Sequence, residues 1–166
     1  MIADPLRRGE ALAELFFTVE PRLYSDLDEA GVLPPRADDE TEARVRAEWA
    51  CFALYACVRG LIAAGGFNRE TAAAVDALHA KVTEAWRNPG GAAGARDRVA
   101  ARYTEYGTIG QAGGASAAAT VGRRLGEAAA RHMNAGAPPP AGLAEMAGAL
   151  HESLAEGAAE AVRGTS

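Results

Sequence analysis

The chain has 166 residues, a net charge of −5 and a pI of about 5.2, a length that suits one domain with a core large enough to need no staples. An acidic chain without a basic stripe is a poor ligand for nucleic acid, because non-specific binding there rests on Lys and Arg neutralising phosphates. Alanine, the strongest helix former, makes up roughly a quarter of the residues, so the composition points to helices throughout.

Asp4-Pro5 predicts a helix start, an N-cap followed by proline at the first helical position. Leu12, Leu15, Phe16 and Val19 then recur at helical spacing. The segment LRRGEALAELFF carries paired arginines ahead of an apolar stretch, the outline of an export signal. Glu10 and Glu14 interrupt that stretch and no small-residue cleavage site follows, so it reads as an amphipathic helix and the cytoplasm is the expected location. Pro21 is expected to kink or end this helix. A second segment, RLYSDLDEAG, then stops at Gly31, and VLPPRA forms a loop.

Asp38, Asp39 and Glu40 open the next helix, placing acid where the N-terminal dipole favours it. This helix is expected to run to about Ala64. Its second half contains WACFALYACV, residues 49–58, an uninterrupted apolar run. A membrane span needs about 20 apolar residues, and this run closes at Arg59 ahead of Gly65 and Gly66, so it is expected to be the centre of a water-soluble core. Cys51 and Cys57 are six residues apart, about 9 Å along a helix and 120° around it. That is too far for a disulfide, and further metal ligands are absent, so both read as small core hydrophobes. The segment DDETE, residues 38–42, fits a Mg²⁺-binding D-D-x-x-E pattern, but no second acidic cluster accompanies it and a solvated helix start is expected.

Asn68 caps the following helix, RETAAAVDALHAKVTEAW, which NPGG at 88–91 is expected to end. The pair has the outline of a helix-turn-helix. Its second helix, however, would offer Ala72, Ala73, Ala74, Val75 and Asp76 to base edges, where Arg, Lys, Asn or Gln are required, so a plain helical hairpin is expected. RDRVAARYTEY is the next helix, GTIGQAGG (107–114) a glycine-rich break, and ASAAATVGRRLGEAAARHM another helix. Free backbone N–H groups at such a helix start, with Arg123 and Arg124 two turns in, are a candidate anion site; a flexible loop is the plainer alternative. GRRLG (122–126) reads as a close helix contact. NAGAPPPAG is a semi-rigid linker, after which Leu143, Met146, Leu150, Leu154 and Ala158 share one face of a final helix while Glu145, Glu152, Glu156 and Glu160 lie mostly away from it.

No segment alternates as a strand would, and no internal repeat is evident. The expected fold is all-α, an antiparallel bundle of six to seven helices with a proline-linked C-terminal helix. Residues 1–136 form the bundle and 137–166 the linker and last helix, either part of the same domain or a dimerisation arm. His79, His132 and His151 fall on three different helices, and E-x-x-H, H-E-x-x-H, G-x-S-x-G and P-loop patterns are missing, so neither metal nor cofactor is expected.

The candidate site is a polar stripe on the apolar central helix. Glu48, Tyr55 and Arg59 fall within about 40° of one another, and polar groups there must be paired or face a wet cavity. Arg98, Arg102, Glu105 and Tyr106 share a broad face of a later helix and are expected to meet them. The meeting is either a buried ion network that fixes register or a pocket for a small anionic or hydroxylated ligand. Three function classes follow. The favoured one is a non-enzymatic interaction or adaptor module, homodimeric or gripping another protein through its C-terminal helix, without nucleic acid or membrane. The second is a small-molecule binder or sensor using the stripe. The third is an enzyme with Glu48 as general base and Arg59 as electrostatic clamp.

Overall fold

The computed structural model describes residues 1–86, 91–111 and 118–164. These form six helices and no strands: α1 (Pro5–Glu29), α2 (Asp39–Gly65), α3 (Arg69–Ala85), α4 (Gly91–Gln111), α5 (Ala118–Met133) and α6 (Leu143–Arg163). The all-α bundle expected from composition is the architecture found. Local chemistry sets three of the starts. The Asp4 side chain accepts from the Leu6 N–H, Asp38 from Thr41 and Asn68 from Thr71, each satisfying a backbone donor that a helix start leaves open. The first two acids of DDETE thus belong to a helix start, and the Thr41 N–H holds the Asp38 carboxyl below its ordinary value. Gly66, with φ of 76°, turns the chain out of α2 in a conformation that residues with a Cβ avoid.

Three boundaries differ from expectation. Helix α4 opens at Gly91, ahead of the expected start at Arg96. Pro21 neither ends nor divides its helix: α1 is one element of 25 residues with Pro21 on its exposed side. The buried stripe Leu12, Phe16, Tyr24 and Leu27 continues across the proline, and tertiary packing of that stripe overrides the local preference. The glycine-rich break expected from residue 107 starts later, because Gly107 to Gln111 are the last turn of α4. The rest of that stretch, 112–117, and with it the candidate anion site, lies outside the described residues, as does most of the NPGG stop.

Helix α2 touches all five other helices. Its apolar run is wrapped on every side: Trp49, Phe52, Leu54, Ala56 and Cys57 are fully buried. By length and composition α2 is long enough to cross a bilayer, yet 72% of its most apolar window is buried against neighbouring helices, as suits the core helix of a protein in water. Burial also pushes both thiols up to about 12, which leaves Cys51 and Cys57 protonated and unreactive.

Close approach of backbones tightens the bundle. A Cβ added to Gly60 would lie 2.5 Å from the Cβ of Ala158, and one on Gly148 would lie 2.8 Å from the Gly122 carbonyl oxygen. The small-residue spacing Gly122/Gly126 therefore marks the α5–α6 seam, as the sequence implied. Helix α6 packs on α2, α5 and α1. Leu143, Leu154 and Ala158 of its stripe are buried there, while Met146 and Leu150 are half-buried, and the Ile2 N–H donates to the Val162 carbonyl across the two ends of the chain.

Candidate functional site

The two polar stripes read from the sequence meet in part. Glu48 is almost wholly buried on α2, and two arginines one turn apart on α4 close over it. Arg98 donates to its carboxylate at 2.5 Å, and Arg102 donates through Nε at 2.8 Å and through Nη2 at 2.7 Å. Burial favours the neutral acid, but the hydrogen bonds and charges of Arg102 and Arg98 outweigh it and hold Glu48 below its ordinary value. A carboxylate so held accepts three charge-assisted bonds and is a weak base.

Tyr55 and Tyr106 also come together, ring centroids 5.4 Å apart. They belong to an aromatic layer between α2, α4 and α6 that includes Phe52, Tyr103 and His151. The His151 imidazole stacks on Phe52 at 4.0 Å and lies 6.0 Å from Tyr55. It is completely buried, and neither ring nitrogen has a hydrogen-bond partner. Burial, then the charge of Arg59, lowers its pKa to about 3; the Phe52 backbone favours the charged form weakly without reaching hydrogen-bond geometry. The Tyr106 hydroxyl is likewise buried and unpartnered.

Arg59 and Glu105 leave the expected constellation. Arg59 pairs with Glu152 of α6 rather than with α4. Together with Ala63, Ala155, Ala159, Glu156, Glu160 and Arg163 they line a groove of about 310 Å³. Glu105 turns to α5, where its carboxylate lies 2.5 Å from His132 Nε2 and 4.0 Å from Arg131. For Arg59 the physical reason is height. At about 1.5 Å per residue α2 is about 40 Å long, so residues on one face of it meet different neighbours along its length.

Several participants were not read from the sequence. Tyr103 packs against Tyr55 with the rings tilted at 60° and their centroids 4.9 Å apart, and its hydroxyl lies 3.0 Å from His79 Nε2; the spacing Val99, Tyr103, Tyr106 was the available signal. His151 sits in register with Ala147, Leu154 and Ala158 on the apolar stripe of α6, which marks it as interior. Arg8, also buried, donates to the carbonyls of Ile2 and Ala3 and to Glu70, and Arg46 grips the buried Glu20.

A different surface stands out for what it leaves uncovered. Phe67, in the turn between α2 and α3, is 90% exposed, the most exposed of the large apolar side chains among the described residues. It lies at the rim of an apolar groove of about 300 Å³ lined also by Val58, Ile62, Ala72 and Val75. An apolar residue just before an N-cap commonly staples to the fourth helical position. Here that position is Ala72, too small to hold the ring, and Phe67 projects into solvent.

No protein-family model matches the sequence, and no curated protein or solved structure matches it.

Proposed function

We propose that this chain is a non-enzymatic protein-interaction module working in the cytoplasm, and that its α2–α3 face does the work. The observation that carries the reading is Phe67, almost wholly exposed beside an apolar groove. Isolated exposed apolar residues are ordinary, but an aromatic contiguous with an apolar groove is the form that interfaces take. The groups able to do chemistry are occupied or silenced. Glu48 is saturated by two arginines, Arg59 is paired with Glu152, both thiols are protonated and His151 is held neutral. The unpaired cysteines suit a reducing compartment.

The ligand-binding reading finds less support. The groove beside Arg59 carries two arginines against three glutamates, Glu152, Glu156 and Glu160, a balance that repels an anion. The C-terminal helix offers a partner less than expected, because most of its apolar stripe is taken up by α2 and α5.

A photoreactive benzoylphenylalanine in place of Phe67 tests the reading in intact cells. Irradiation is expected to give a covalent product heavier than the 17.1 kDa chain. A Val75→Glu change in the groove should abolish that product, and the same probe at exposed Glu29 should give none. If position 67 yields no product that depends on Val75, the interaction reading falls.

A further inference from the structure

Resting on that reading, we infer that the occupant of the α2–α3 face is a second copy of this chain, bound about a twofold axis that passes between the two copies of α3, level with Ala72 and Ala73. The surface carries both halves of an interlock. A twofold interface presents one patch to itself, so each feature must find its complement on the same face. Phe67 is a knob without a hole of its own, and the adjoining groove along Val58, Ile62 and Val75 is a hole without a knob.

Charge supplies the register. Arg69 and Asp76 are both exposed, and neither forms an ion pair among the described residues; Asp76 acts only at a distance on His79. Seven residues apart, they lie about 10 Å apart along the helix and within about 20° around it. Two copies of α3 laid antiparallel about the midpoint of residues 72 and 73 bring Arg69 of each opposite Asp76 of the other, twice over. A parallel pairing in register would oppose like charges instead. Ala72 and Ala73 at the crossing let the helices approach closely, and the same arrangement carries each Phe67 toward the Val58–Val75 end of the other copy's groove. Across a helix pair, such self-complementary charge fixes register and partner choice more than affinity.

Sedimentation velocity on the full chain, over about 1 to 500 µM where small interfaces associate, tests this. The mass is expected to rise with concentration from 17.1 kDa toward twice that value. Phe67→Ser should hold it at the monomer, with a circular dichroism spectrum and Tm that match the parent's at about 1 µM, where the parent too is monomeric. Arg69→Asp or Asp76→Arg alone should weaken association about tenfold or more, and the two together should restore it to within about threefold. A mass of 17.1 kDa at every concentration, or a dimer indifferent to Phe67→Ser and to the charge reversals, overturns the inference. If the chain is monomeric while the probe at residue 67 couples to another protein, the second copy is excluded and the interaction reading stands. If the probe couples to nothing, both are lost.

Discussion

Glu48 sits in the bundle as one half of a bargain that neither partner can leave alone. Its carboxylate is 3% exposed, while Arg98 and Arg102 keep about a fifth of their side-chain surface in water, 21% and 23%. Removing one partner of a buried pair leaves an uncompensated charge and costs about 3–5 kcal/mol, less where solvent screens the remainder. Glu48→Gln is therefore expected to lower unfolding stability by about 2–4 kcal/mol, read from urea denaturation. Replacing Glu48, Arg98 and Arg102 together with Met, Met and Leu should be neutral or stabilising, since all three desolvation penalties go at once. The buried Arg98 Nε has no partner to lose. A triple variant less stable than the parent chain would show that the network contributes more than it costs to bury.

At the scale of the helix, small residues set how closely elements approach. A Cβ on Gly126 would strike the Ala144 carbonyl and lie 2.9 Å from the Cα of Gly148, with backbone on both sides unable to swing away. Gly126→Ala should thus destabilise by about 1–3 kcal/mol, despite the gain of about 1 kcal/mol that alanine brings to a helix interior. Pro21 works in the opposite direction. Proline inside a helix costs about 3 kcal/mol through its lost N–H and its ring, so Pro21→Ala should raise stability by about 1–2 kcal/mol after the freer unfolded chain is counted; a drop in the thermal midpoint would contradict this. These two residues also mark what the sequence made legible. The caps Asp4, Asp38 and Asn68, the core run 49–58 and the Gly122/Gly126 seam could be read because each depends on neighbours within a turn or on burial alone. The continuity of α1 through Pro21 and the extra turn of α4 could not, because packing between helices decides them. The site divides the same way. Helical periodicity brought Glu48 to Arg98 and Arg102, and Tyr55 to Tyr106. It has no means of saying that Arg59, on the same face, lies at a height where α6 replaces α4.

For the whole molecule, the buried histidine makes folding acid-sensitive in a definite window. In the folded chain His151 titrates at about 3, against its ordinary 6.5, because burial and the neighbouring Arg59 oppose a second positive charge. Below pH 6.5 the unfolded chain therefore binds a proton that the folded chain refuses, and stability must fall as pH falls, by up to about 1.4 kcal/mol per pH unit. His79, also lowered by burial, adds in the same direction. Glu48 acts later: its folded value lies below 4.5, so its contribution is intact above that pH and is lost as pH falls through the depressed value. Between pH 6.5 and 4.5 the loss is thus a histidine effect. Phe in place of His151 retains a ring against Phe52 and removes two unpartnered nitrogens, so His151→Phe should be at least as stable as the parent at pH 7.5. Its urea midpoint should decline less steeply from pH 6.5 to 4.5, while the further fall below 4.5 remains. An equal slope in both chains would mean that a water or a shifted neighbour already satisfies His151 and lets it take its proton, in which case the aromatic layer is wetter than its burial implies.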